Sequence, residues 1–223
     1  MTDIARRKLR FLAGFAVYFG ALWLLWDTAL VYPLKIFVVL LHEVSHAVAA
    51  VATGGAIQRI VLDPNQGGAT YTLGGSAFVT LSAGYLGSLG WGALMVEAAR
   101  AKRIHPDLVN GAIGGVVVAL TALFVRNLFG IVFGVLFGLA LVLASRKLSV
   151  AANRSLLLTL GMTSSLYAIL DIKSDILDRP HLESDAHMLA DLTGIPTVAW
   201  GVLWIGLALG VTFLLFRRAY RQA

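Results

Sequence analysis

Seven stretches of the chain are almost continuously apolar: residues 11–26, 33–52, 77–97, 108–125, 127–145, 151–171 and 198–216. A helix rises about 1.5 Å per residue, so a run of roughly 20 residues is the length that crosses the ~30 Å hydrocarbon layer of a bilayer. The pattern predicts an all-α polytopic membrane protein with six or seven transmembrane helices. These use nearly all of the 223 residues. Residues 1–223 therefore read as a single integral membrane domain, with no room for a separate soluble one.

Between the second and third runs the period changes. Pro33 suits the first turn of a helix, which then runs to Thr53, Gly54 and Gly55, where glycine permits a left-handed cap. The following segment AIQRIVLDPNQGGATYTL (residues 56–73) alternates, turns at DPNQGG, and is rich in β-formers after it. A short β-hairpin after the second helix is the expectation, with an ordinary surface connection as its competing reading. Gly84, Ser88 and Gly92, and likewise Gly130, Gly134 and Gly138, recur every four residues. Small residues in a row let helices approach closely in lipid, so both sets are assigned to packing, with Gly84 to Gly92 also leaving space beside the site described next.

Inside the second run, His42, Glu43 and His46 interrupt the apolar sequence FVVLLHEVSHAVAAVA (residues 37–52). Histidines at i and i+4 project from one helical face and can converge on one zinc ion, with the intervening glutamate beside the metal's open position. Glu43 would then be the general base toward water, while zinc polarises a carbonyl. The competing reading is a buried polar cluster that only joins helices. Three ionisable residues within five positions of a membrane helix favour function, because each is costly there.

Such a zinc site needs a third protein ligand and leaves a fourth position for water. Asp171, directly after an apolar helix, is the expected ligand, and Asp175, one turn further, is its substitute. Asp175 and Asp178, near Lys173 and Arg179, otherwise read as a solvated helix end. The segment HLESDAHMLADLTGIP holds His181, Glu183, Asp185, His187 and Asp191. His187 and Asp191 have metal-ligand spacing, but so polar a stretch reads as exposed surface.

Composition narrows the function classes. The chain is 58% hydrophobic and 13% charged, and cysteine is absent, which excludes disulfides, thiolate metal sites and a cysteine nucleophile. The net charge of +6 sits in short segments beside apolar runs, which suits anionic headgroups and not nucleic acid. The basic start MTDIARRKLR before the first run reads as the cytoplasmic flank of a retained helix, since no cleavage site follows it before Asp27. Basic residues also flank the last run, and seven full crossings cannot bring both termini to the cytoplasm. Either one run is re-entrant or split, or one terminus breaks the rule, and the tight junction at Arg126 and Asn127 makes the fourth and fifth runs the least secure.

The HExxH motif in a membrane helix, the Gly-Gly break, the hairpin, the AGYLGSLGWGAL helix and a late aspartate together resemble the site-2 protease family of intramembrane zinc metallopeptidases. Within it, HEVSHAVAAVATGGAIQRIVLDPNQGGATYTL with AGYLGS, RNLFG, YAILDI and SDA is similar to a compact peptidase-like branch without a PDZ domain, from about Phe37 to Trp204. The resemblance implies that His42 and His46 hold Zn2+, that Glu43 is the general base, and that Asp171 matches the aspartate of an LDG-type motif, with Ile172 where glycine would stand. AGYLGS offers Gly84 and Tyr85 where the family bears a GP-x-x-N type sequence.

The expected function is a membrane-embedded zinc metalloendopeptidase of the bacterial cytoplasmic membrane, acting on a membrane-protein or peptide substrate in or near its transmembrane segment. Two alternatives stand beside it. A non-proteolytic metal-binding scaffold would not need Glu43, and a small transporter would show repeated halves that this sequence lacks. Substrate identity and oligomeric state are not written in these residues.

Overall fold

The computed structural model describes residues 3–26, 28–173 and 184–222. In chain order the elements are α1 (Asp3–Leu24), α2 (Tyr32–Ala52), β1 (Ala56–Asp63), β2 (Gly67–Leu73), α3 (Ala77–Arg100), α4 (Pro106–Phe124), α5 (Leu128–Lys147), α6 (Val150–Lys173), α7 (Asp185–Thr193) and α8 (Thr197–Gln222). Each apolar run of the sequence becomes one helix. Asp175, His181 and Glu183 lie outside the described residues.

Six of these helices, α2 to α6 and α8, are long and apolar enough to cross a membrane. α1 falls short because Arg6, Arg7, Lys8 and Arg10 occupy its first turns. α2 is the most enclosed. Ile36, Phe37, Val38 and Leu40 are essentially sealed from the surface and form the main core with Leu157 and Leu160 of α6. Phe37 stacks on Phe137 of α5, with ring centroids 4.9 Å apart. The chain is an integral membrane protein.

Contacts fix the helix directions. Tyr85 of α3 packs on Trp204 of α8, and Glu97 meets Arg218, so α3 and α8 run parallel. Phe15 packs on Phe216 and Lys8 on Tyr220, so α1 runs against them. α6 also runs against α3, with Arg154 on the carbonyl of Ala99 and Ser164 Oγ donating to Ser88 O. Trp26, just past α1, meets Tyr167 near the end of α6, and Lys35 of α2 sits 4.5 Å over the same indole. The far end of α2 is tied to the start of α3, where the Ser76 amide donates to Thr53 Oγ1. α2 thus runs against α3, with Thr53 beside Ser76 and Ser45 further along at Trp91. The Arg126–Asn127 junction joins two antiparallel helices, α4 and α5, with Gly114 against Gly138.

The small residues pack as their spacing predicts. A Cβ on Gly92 would stand 2.8 Å from the Gly161 oxygen of α6, and one on Gly138 would stand 2.7 Å from the Gly114 oxygen of α4. Gly84 differs and belongs to the site below.

The hairpin forms where the sequence predicts it. β1 and β2 pair antiparallel, Ile60 opposite Thr70 and Leu62 opposite Gly68, with a bulge between Ile57 and Arg59. Gly54 has φ +89°, and Gly55 lies against the Gly74 carbonyl so closely that a Cβ would stand 2.7 Å from its oxygen. This closes the base of the hairpin as a glycine-only contact. The outer edge of β1 is already taken: Ile60 O accepts from the Arg126 amide at 3.0 Å. The Asn127 amide group accepts from Leu62 N at 3.2 Å and donates to Leu62 O at 2.7 Å. Because backbone groups alternate along a strand, Ile60 and Leu62 turn outward and their partners Thr70 and Gly68 turn away from β1. With Thr72 they form the free edge of the two-stranded sheet.

Candidate metal centre

α2 is helical through His42 and His46, so both imidazoles leave the same face, and their ring centroids lie 4.7 Å apart. A third group comes from α7. Ser184 caps that helix, accepting from the His187 amide, and Asp185 at its first position turns back toward α2. Asp185 Oδ2 lies 2.9 Å from His42 Nε2 and 3.2 Å from His46 Nε2. Among the described residues these three form the group able to hold a metal, one ligand atom from each lying within 4.8 Å of the others.

The donor set fits a cation. His46 Nδ1 lies 2.7 Å from the Thr80 carbonyl. A carbonyl only accepts, so Nδ1 carries the proton and a neutral His46 turns the Nε2 lone pair toward the Asp185 carboxylate. Two acceptors that close repel unless a cation lies between them. The Thr80 bond is also the outer contact that orients a ligating imidazole. Two ligands at about 2.0–2.1 Å from a tetrahedral zinc stand about 3.4 Å apart, close to the observed spacing. Gly84 supplies the clearance, since a Cβ there would overlap His42 Nε2 and His46 Cε1.

Asp185 is only 7% exposed.

Glu43 is buried beside the pair. Thr70 of β2 holds it, its hydroxyl 2.8 Å from Glu43 Oε2 and 2.9 Å from the Glu43 backbone oxygen. Gly68 makes room for the other oxygen, because a Cβ there would stand 2.5 Å from Oε1. Tyr85 meets the edge of His42 at 4.8 Å between centroids and backs the site with Trp204.

These groups line a cavity of about 1010 Å³, walled on one side by β2 from Gly67 to Thr70 and on another by Tyr167, Leu170 and Asp171 of α6.

His42, Glu43 and His46 therefore come together as the motif requires. Asp171, the expected third ligand, stands in the cavity wall but outside the converging group, and Asp185 occupies that role in the geometry. The assignment of Asp185 to exposed surface is corrected. α7 is amphipathic, with Ala186 and Leu189 fully buried on Tyr85, Trp200 and Trp204, and this face carries Asp185 inward. The signal was in the sequence: a serine cap followed by apolar residues at helical spacing. His187 and Asp191 lie on the outer face, 3.9 Å apart, as the polar pattern predicts.

No curated protein and no solved structure matches the chain. The family model described as Peptidase M50B-like matches residues 15–215, which takes in the helix of His42, Glu43 and His46, the hairpin and the short helix of Asp185. The chain thus belongs to the Peptidase M50B-like family, within the site-2 proteases.

Proposed function

We propose that this protein is a zinc metalloendopeptidase that hydrolyses a peptide bond in or near a transmembrane segment, in a bacterial cytoplasmic membrane. The observation that carries the reading is the convergence of His42, His46 and Asp185 beside Glu43, in a cavity whose wall is the free edge of β2. His42, His46 and Asp185 would hold the metal. When bound, zinc would supply a Lewis acid and an acidified water.

The chain's own residues account for the remaining requirements. A peptide bond within a membrane helix has its amide groups already paired, so the substrate must unwind before it is cut. Gly68, Thr70 and Thr72 offer backbone donors and acceptors to an extended segment, which would join β2 as a third strand. Such pairing replaces the hydrogen bonds lost on unwinding and fixes the scissile carbonyl beside Glu43. The Glu43 carboxylate accepts the proton of the attacking water and passes it to the departing amine. Asp171, in the cavity wall, has no ligand role in this scheme.

A metal-holding scaffold would need His42, His46 and Asp185 but not a carboxylate held by Thr70 and accommodated by Gly68. The test is cleavage of a single-span protein in detergent by the zinc-loaded wild type and by Glu43→Gln. Loss of cleavage with zinc retained supports the peptidase.

A further inference from the structure

Glu43 depends on where the hairpin stands. Gly68 leaves room for its Oε1 and Thr70 binds its Oε2, so a shift of β2 moves the proposed base. The base of the hairpin is closed by Gly55 against Gly74, and its turn by the Tyr32 hydroxyl, which donates to Pro64 O at 2.7 Å. The stretch between them is gripped at the outer edge of β1 by the α4–α5 junction. Val125 forms a parallel bridge with Ile60, the Arg126 amide donates to Ile60 O, and the Asn127 side chain takes both backbone groups of Leu62. Ile60 stands opposite Thr70, and Leu62 opposite Gly68. The two β1 residues held by the junction are therefore the partners of the two β2 residues that place Glu43.

Asn127 occupies the N-cap position of α5. Asparagine is favoured there because its side-chain oxygen accepts from an amide of the first turn. In this helix that bond is not made, and the oxygen accepts from Leu62 N instead. Gly130 fits this use: a Cβ there would stand 2.7 Å from Asn127 Oδ1 and 3.4 Å from Leu62 Cβ. Leu62 is buried, so its backbone groups need partners within the protein. A side chain that forgoes its own helix to pair both of them restrains the strand.

We infer that Asn127 is a positioning residue of the proposed hydrolysis: it fixes the middle of β1 so that Gly68 and Thr70, across the hairpin, hold the Glu43 carboxylate at the metal centre. The effect on rate rests on the peptidase reading; the restraint on the hairpin does not.

The test uses Asn127→Ser and Asn127→Ala in the purified full chain. Serine supplies the missing α5 cap, but its hydroxyl ends one bond short of the Asn127 amide, so this variant secures the helix and loses the grip on Leu62. Both variants should keep wild-type zinc content and lose about tenfold in kcat, the order expected when two neutral hydrogen bonds are removed. If Asn127 acts through Thr70, the two effects are not additive. Adding Asn127→Ser to Thr70→Val should then cost less than about twofold. An equal loss in both backgrounds marks a purely structural side chain and overturns the inference, as does wild-type kcat in Asn127→Ser.

A second measurement reads the hairpin without any cleavage. The chain has no cysteine, so Asn65→Cys in the hairpin turn and Asp191→Cys on α7, both exposed, carry a pair of spin labels. The distance distribution between them should broaden or shift in Asn127→Ser. An unchanged distribution overturns the restraint. A changed distribution in a zinc-loaded protein that cleaves nothing supports the restraint and counts against the peptidase reading alone.

Discussion

The hydroxyl of Thr70 bridges two oxygens of Glu43, one in the carboxylate at 2.8 Å and one in the backbone at 2.9 Å. The strand proposed to pair with a substrate therefore also holds the proposed base. A hydrogen bond to a charged group contributes about 1.5–3 kcal/mol, which corresponds to roughly 10- to 100-fold in rate if it is spent on positioning. Thr70→Val should lower kcat by that range with KM and bound zinc unchanged, and Thr70→Ser should restore most of it. A rise in KM with unchanged kcat would contradict this role.

Two glycines separate metal binding from catalysis. A side chain at Gly84 overlaps both imidazoles, so Gly84→Ala should lose zinc, as measured by metal content per purified chain. A side chain at Gly68 displaces only the Glu43 carboxylate, so Gly68→Ala should keep zinc and lose cleavage. Full zinc occupancy in Gly84→Ala would mean that the histidines do not converge as described.

The two aspartates of the cavity should also separate. Asp185→Asn removes the group facing both imidazoles and should weaken zinc binding by at least about 100-fold, since even losing an outer-shell partner costs about 10- to 100-fold. Asp171→Asn should bind zinc as the wild type does. A competition titration with a chelator measures both, and the opposite ranking would return the ligand role to Asp171.

Strand addition predicts a backbone effect. Proline has no N–H to donate, and the Thr72 amide faces the free edge. Thr72→Pro should abolish cleavage while zinc content stays at one per chain. Cleavage at the wild-type rate would rule out pairing at this position.

Much of this molecule is legible in its sequence, and the part that is not has a physical reason. The helices follow from apolar runs and the hairpin from its DPNQGG turn, both local signals. His42, Glu43 and His46 are readable because one helical turn brings them together. Asp185 lies 143 residues from His42, and only the folding of α7 against Tyr85 and Trp204 brings it back. A neighbouring aspartate on an apolar helix was the more obvious ligand, but depth in a helix does not say which way its carboxylate faces. The roles of Thr70 and Gly68 depend on strand register, and that of Gly84 on how closely α3 crosses α2. None of these is written in local spacing.

The central claim is that the site performs Glu43-dependent hydrolysis. Its most direct measurement is the cleavage rate of a single-span membrane protein by wild type and by Glu43→Gln, purified in detergent and matched for bound zinc. The account predicts cleavage by the wild type, its loss on chelation and recovery on adding zinc, and a fall of at least about 100-fold in Glu43→Gln, the lower bound expected for a general base. Equal rates at equal zinc occupancy, or a fully zinc-loaded wild type that cleaves nothing, would contradict it.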